Sequence, residues 1–265
     1  MPEGHTIHRL AQDQGRALKG RTVSLSSPQG RFAEGAALLS GRTCTRLEPY
    51  GKHLWYLFDG GLSLHVHLGL YGTWTAGTGP PPEPRGAVRV RLVTDEAWLD
   101  LRGATAVEVH TKADRTAVLA RLGPDPLART DRGEAAWARI TRSRVPIGQL
   151  LMDQAVLAGV GNVYRAEVLY RAAVSPFTPG KDLERRTWDA MWADIRQLMR
   201  AGVKANRIVT TATADRERRS GYVRREDAHY VYRRAGQPCR RCGAEVRTQV
   251  MAGRNLFWCP HEQQS

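Results

Sequence analysis

Ala158-Gly159-Val160-Gly161-Asn162-Val163-Tyr164 places two glycines, two residues apart, in the middle of a region that otherwise repeats like a helix. Glycine reaches positive backbone angles without a steric penalty, so this spacing predicts two successive tight turns between two short helices. Upstream, Ile147, Leu150 and Leu151 fall on one helical face. Downstream, Trp188, Met191, Trp192, Ile195, Leu198 and Met199 mark a longer amphipathic helix. A helical domain therefore begins near residue 130, past the turn Leu122-Gly123-Pro124-Asp125-Pro126-Leu127.

Toward the N-terminus the period changes. From Thr22 to about Val109, apolar residues alternate with polar ones: Leu62, Leu64, Val66 and Leu68 with Ser63, His65 and His67, and Val88, Val90 and Leu92 with Arg89 and Arg91. Period two reads as an antiparallel β domain, with a hairpin turn at Asp59-Gly60-Gly61 and a proline-rich loop from Gly77 to Gly86. Ahead of it, Ile7, Leu10, Ala11 and Leu18 predict one short amphipathic helix, stopped at Gly20.

Forty Lys and Arg stand against 26 Asp and Glu, a formal charge of +14 that favours a polyanionic partner. Residues 200–265 hold 14 of the basic residues and six of the acidic ones, so the surplus lies toward the C-terminus. No run approaches the ~18 apolar residues of a spanning helix, and no secretory leader pattern opens the chain. A cytoplasmic location is expected, beside the nucleoid if the source is bacterial. Cys239, Cys242 and Cys259 lie within the last 27 residues, in a unit too short to hold a core without a metal. The knuckle Cys239-Arg240-Arg241-Cys242, the hairpin tip Gly253-Arg254-Asn255 and Cys259 have the spacing of a zinc ribbon. His261 is the expected fourth ligand because structural zinc prefers nitrogen or sulfur; Glu262, a water-completed site and a redox pair stay open. Cys44 is expected to be a buried core thiol.

The chain starts Met1-Pro2-Glu3-Gly4. Removal of Met1 would expose Pro2 as a secondary amine titrating near ~8, a nucleophile at neutral pH. Such an amine can attack the C1′ carbon of a nucleoside, expel the base and form an iminium ion that acidifies the C2′ proton. Glu3 is available as the general acid and base.

Taken in order, Pro2-Glu3-Gly4, Gly51-Lys52-His53-Leu54, His67-Leu68-Gly69-Leu70-Tyr71-Gly72, the turn from Leu122 to Leu127, Gly159 to Tyr164, and Val231-Tyr232-Arg233-Arg234-Ala235-Gly236 running into the zinc cysteines resemble the formamidopyrimidine-DNA glycosylase and endonuclease VIII family of bifunctional DNA glycosylases. The resemblance spans nearly the full length. It implies an α+β fold: an antiparallel β-sandwich with an N-terminal helix (residues 1–128), a helical domain with a helix-two-turn-helix element at about 147–180 (residues 129–236), and a zinc finger (residues 237–265), with the active-site cleft between the first two. It also implies Pro2 as the Schiff-base nucleophile, Glu3 as the acid and base, Lys52 as a contact to the phosphate beside the lesion, Asn162 and Arg254 as phosphate contacts, and Leu70 and Tyr71 as the wedge that fills the hole left by a flipped nucleotide. The Leu-Tyr-Gly run is similar to the endonuclease VIII branch. Around Asp100-Leu101-Arg102-Gly103-Ala104 the phenylalanine of the formamidopyrimidine branch is missing, which puts opposite-base reading in doubt.

The expected function is a monomeric DNA glycosylase and abasic-site lyase of base excision repair. It would carry one structural zinc and no redox cofactor or catalytic metal, and act on oxidised bases, pyrimidines favoured, in damaged double-stranded DNA, with bubble or single-stranded DNA left open. The rival readings are a protein that binds abasic or lesion DNA with little or no chemistry, and a zinc-ribbon nucleic-acid-binding factor.

Overall fold

The computed structural model describes residues 2–264, so Met1, whose removal is expected, lies outside them. The chain forms two compact units, one up to Arg121 and one from Leu122 onward.

The first unit opens with helix α1 (Gly4–Leu18), as its apolar spacing predicts. Then follow β1 (Thr22–Ser26), α2 (Ala33–Leu39), β2 (Arg42–Tyr50), β3 (His53–Phe58), β4 (Ser63–His67), β5 (Thr73–Thr78), β6 (Val90–Val93), β7 (Ala97–Arg102), β8 (Ala106–His110) and α3 (Lys112–Ala120). The strands run in the order β5-β7-β6-β1-β2-β3-β4-β8, all antiparallel. Strand β1 pairs with β2 through Thr22 and Val23 and with β6 through Ser24, Leu25 and Ser26. The sheet therefore divides at β1 into two four-stranded layers. Leu54, Tyr56, Leu64 and Val66 of one layer and Leu25, Leu92, Leu99 and Leu101 of the other join Ile7 and Leu18 of α1 in one buried cluster. Cys44 is fully buried in that cluster, where desolvation pushes its thiol up to about 12, in keeping with a core role.

The alternation in β4 has a second outcome. Its polar face does not meet water: Ser63 and His65 are buried along with Leu64 and Val66. Strands that bury both faces are normally apolar, so a buried histidine there needs partners, and it has them (below).

The second unit contains α4 (Glu134–Ile140), α5 (Ile147–Leu150), α6 (Asn162–Arg171) and the 21-residue α7 (Arg185–Ala205). Its core gathers Ile147, Leu151, Leu157 and Val160 against Trp188, Met191, Ile195 and Met199, the residues that mark the helical period. Residues 206–236 carry almost no regular structure. They are anchored from within: the fully buried Glu167 carboxylate of α6 accepts from the backbone N–H of Tyr230 (2.8 Å), Val231 (2.9 Å) and Tyr232 (2.8 Å) and from the Thr210 hydroxyl. Strands β9 (Arg247–Met251) and β10 (Arg254–Trp258) form the terminal hairpin.

Candidate functional site

Pro2 is half-buried and leads directly into Glu3, which caps α1 with extended backbone. The Glu3 carbonyl accepts from Thr6 N–H (2.9 Å) and Ile7 N–H (3.4 Å), and the residue is fully buried. A carboxylate at this end of a 15-residue helix sits in the favourable field of its first amides. His5, the second residue of α1, is buried too, and desolvation lowers its imidazole to about 4, so it is uncharged at neutral pH.

Lys52 occupies the second position of a two-residue hairpin loop. Tyr50 pairs with His53 across it, and Gly51 takes φ +56°. Positive φ at the first loop position alone is the type II′ pattern, which explains the glycine. Lys52 is close enough to His67 to help hold that imidazole below its ordinary value, after the larger effect of burial.

Leu70 and Tyr71 stand out from the loop after β4, 39% and 82% exposed. Two glycines let that loop lie against the one after β7. At Gly69 (φ +65°) a Cβ would strike the Thr105 side chain, and at Gly103 (φ +65°) it would come within 2.8 Å of the Tyr71 carbonyl oxygen. Ala104, where a phenylalanine is absent, is buried in the core. Arg102 is held on the sheet: Nε donates to the Arg85 carbonyl (2.9 Å), Nη1 to Thr75 Oγ1 (2.8 Å) and Nη2 to the Asp100 carboxylate (3.1 Å).

In the second unit the two-turn element forms where the glycines predict it, with one difference. Gly159 has φ +88°, whereas Gly161 caps α6 with extended backbone at φ −128°. The second turn is instead secured by Gln154, a residue that pattern reading passes over. Its Oε1 accepts from Gly159 N–H (3.0 Å), and its Nε2 donates to the carbonyls of Met152 (3.0 Å) and Val160 (2.9 Å). Asn162 starts α6 but is only 6% exposed. Its Nδ2 donates to the Asn255 carbonyl (2.9 Å) and its Oδ1 accepts from Arg165 Nη2. Arg165, fully buried, also donates to the Met251 carbonyl (3.1 Å). The carboxamide thus joins the two-turn helix to the terminal hairpin. Ala252 (φ +52°) and Gly253 (φ +68°) make the hairpin tip, and Arg254 beside it is exposed.

The ligand atoms of Cys239, Cys242 and Cys259 converge within 4.8 Å of one another, with no disulfide. Cys242 Sγ and Cys259 Sγ are 3.5 Å apart, close to the ~3.8 Å edge of a tetrahedron with Zn–S bonds of ~2.3 Å. The thiol set therefore fits a zinc ion. His261 and Glu262 both reach Cys242, but the His261 side chain is 65% exposed and that of Glu262 22%. Both fourth-ligand candidates thus lie beside Cys242. Cys239→Ser is expected to lose the metal and melt residues 237–264, lowering DNA affinity at least ~10-fold while Pro2 stays in place. Zinc content and a DNA titration on the same preparation check this; normal affinity in a zinc-free variant would refute it.

Three family models match this chain in sequence order: the formamidopyrimidine-DNA glycosylase N-terminal domain over residues 1–112, the formamidopyrimidine-DNA glycosylase H2TH domain over 122–214, and the zinc finger found in FPG and IleRS over 236–261. Endonuclease 8 1 of Mycobacterium tuberculosis is 48% identical over 264 residues, 98% of each chain. The chain belongs to the formamidopyrimidine-DNA glycosylase and endonuclease VIII family. Endonuclease 8 of Salmonella newport is 33% identical over 99% of this chain and all of its own. Among solved structures, MutM (FPG) of Thermus thermophilus superposes with a TM-score of 0.79 at 28% identity, covering 99% of this chain and 98% of its own. The Lactococcus lactis Fpg, solved with abasic-site DNA, shares the fold at a TM-score of 0.82 and 20% identity, covering 99% and 100%. Members of this family are DNA glycosylases of base excision repair, and the α+β architecture with its terminal finger is that of the family. Among the described residues, no helix is long and apolar enough to cross a membrane.

Proposed function

We propose that this member of the endonuclease VIII branch is a bifunctional enzyme. It removes oxidised bases, pyrimidines in preference, from damaged double-stranded DNA and then cuts the strand. The observation that carries this reading is the N-terminus: Glu3, buried at the start of α1, directly follows Pro2. The Pro2 nitrogen attacks C1′ and the C1′–N bond to the base breaks, the departing base taking a proton. The amine gives up its N–H as the sugar ring opens, with Glu3 passing that proton to O4′, and an iminium remains. That iminium withdraws electrons from C2′. Loss of the C2′ proton then drives out the 3′ phosphate by β-elimination, and a second elimination releases the 5′ phosphate.

Lys52, Asn162 and Arg254 would engage phosphates around the lesion. For Asn162 this means sharing the amide now bonded to Asn255, beside the backbone amides at the start of α6. Leu70 and Tyr71 would fill the vacated stack, since apolar side chains this exposed on a glycine-braced loop suit an intercalating wedge. One zinc ion, on the three cysteines and His261, would hold the finger. The protein would work as a monomer in the cytoplasm. Preference for pyrimidines follows from the endonuclease VIII-like Leu70-Tyr71-Gly72 and from Arg102, whose guanidinium is engaged with the sheet.

Borohydride trapping on an oligonucleotide with one abasic site tests the mechanism. Wild-type protein is expected to give a covalent adduct mapping to Pro2, and Pro2→Gly to lose at least ~100-fold in adduct rate. Intact abasic-site binding with no adduct would support the lesion-binding reading instead.

A further inference from the structure

The outer face of strands β3, β4 and β8 carries a cluster of aromatic and titratable groups that the proposed chemistry does not use. His53 and Trp55 come from β3, His65 from β4, and Glu108 and His110 from β8. Trp55 is fully buried, and His65 and His110 are buried. The rings pack face to face: His65 on His110 at 4.3 Å between centroids, Trp55 on His65 at 5.0 Å, and His53 on His65 at 5.2 Å. Arg115 of α3 lies over Trp55.

His65, Glu108 and His110 bring their ligand atoms within 4.8 Å of one another, an arrangement that invites a metal ion. The hydrogen bonds argue otherwise. Trp55 Nε1–H can only donate, and it faces His110 Nδ1 at 3.3 Å. His110 Nδ1 must therefore be the acceptor, which puts the proton of the neutral ring on Nε2, the nitrogen a metal would need. That proton points at Glu108 Oε2, 3.2 Å away. The same oxygen lies 3.0 Å from His65 Nδ1, and a carboxylate only accepts, so His65 carries its proton on Nδ1. His65 Nε2 is then a lone pair, and His53 Nδ1, 2.9 Å from it, must donate. Hydrogen bonds from His65 and His110 hold the Glu108 carboxyl below its ordinary value although partial burial opposes this, and burial lowers His53 to about 3 and His65 to about 4. What the chain requires is an oxygen at Glu108 that accepts two bonds, and a ring nitrogen with a free lone pair at His110 and His65.

One indole and one carboxylate thus fix the tautomers of three histidines. The run ends at His53, the residue that follows Lys52 out of the two-residue turn, its ring 4.9 Å from that of His67. We infer that Trp55, His110, Glu108, His65 and His53 form one hydrogen-bond chain whose two donor runs, from Trp55 through His110 and from His53 through His65, converge on Glu108, and that His65 and His53 are positioning residues that hold the Gly51-Lys52 turn in place for the phosphate beside the lesion. The role of Lys52 rests on the function proposed above; the chain itself does not.

Two measurements on the full-length zinc-loaded protein test this. Long-range proton–nitrogen NMR correlations are expected to show Nε2–H at His110 and Nδ1–H at His65 and His53, and the opposite tautomer at any of the three would overturn the chain. A double-mutant cycle then reads the link to Lys52 through the single-turnover rate of abasic-strand cleavage. His65→Leu is expected to slow the wild-type background roughly 10-fold, because a misplaced charge close to a reacting centre is costly, and the Lys52→Ala background less than about twofold. Equal losses in both backgrounds would show a general structural effect and defeat the positioning role. Both bonds to Glu108 converge on one oxygen, so Glu108→Gln should stay within about twofold of wild type while Glu108→Leu behaves like His65→Leu. Uptake of a second zinc ion that His110→Ala abolishes would replace the chain with a metal site. Wild-type protein that cleaves nothing would sink the enzymatic reading, and the tautomers would still decide the chain.

Discussion

Glu3→Gln is expected to slow release of an oxidised base by roughly 1,000-fold while leaving the protein able to trap on a preformed abasic site. The range for a single general acid or base is about 100- to 10,000-fold. Glutamine matches the shape of glutamate and so fits the buried cap position of Glu3. It cannot take a proton from the Pro2 nitrogen or deliver one to O4′. At a preformed abasic site the base is already gone and the sugar opens to its aldehyde unaided, so Pro2 can still condense with C1′. Base release and borohydride trapping, measured side by side, separate the two steps. An equal loss in both would mean that Glu3 serves the fold of the N-terminus, and no loss in either would remove it from the mechanism.

The largest effect on stability is expected at Glu167. Three backbone N–H groups and the Thr210 hydroxyl converge on its fully buried carboxylate, and residues 206–236 have little other regular structure to hold them. Leucine at this position would strand three backbone N–H donors, at about 1–3 kcal/mol each if none found a new partner, while the Thr210 hydroxyl could turn to the Ala228 carbonyl, 3.2 Å away. Glutamine keeps one oxygen but points an NH₂ group at donors. Glu167→Leu should therefore cost at least ~4 kcal/mol and lower Tm of the second unit by roughly 10 °C, with Glu167→Gln in between. Calorimetry with and without DNA checks this, and a variant that melts within about 2 °C of wild type would show that the segment is held by other means.

The helical face of α7, the glycine turns and the zinc spacing were legible because each rests on a local rule: a 3.6-residue period, a backbone angle, a ligand interval. Helix α3 illustrates what was not. Its N-terminus has a complete capping box, Thr111 and Asp114 bonding each other's backbone N–H, but none of its residues is buried, so no apolar period announces it. The short α2 is hidden in the same way between β1 and β2. In the candidate site the cysteines stand out by type and spacing, whereas the roles expected of Pro2, Glu3 and Lys52 come from the order of motifs that resembles the family. Gln154, Arg165 and Glu167 were not legible, because their roles lie in side-chain bonds to backbone far off in sequence, as with Arg165 and Met251, 86 positions apart. The alternation in β4 sets His65 opposite the apolar residues but cannot reveal that the rings of Trp55 and His110 stack on it and bury it.

The bonds that join α6 to the terminal hairpin end on main-chain carbonyls, Asn162 on that of Asn255 and Arg165 on that of Met251. A carbonyl has no residue identity, so at these two bonds α6 senses only the path of the hairpin backbone. Elsewhere the same helix reads side chains: Ala166 and Tyr170 pack with Phe257, Cys239 and Cys259, and the Tyr170 hydroxyl meets Cys239 Sγ at 3.1 Å. A metal-free hairpin grafted after Gly236 would therefore need two backbone oxygens at the same spacing and, beside them, an apolar face shaped to these two residues, which sets the terms for redesigning the finger.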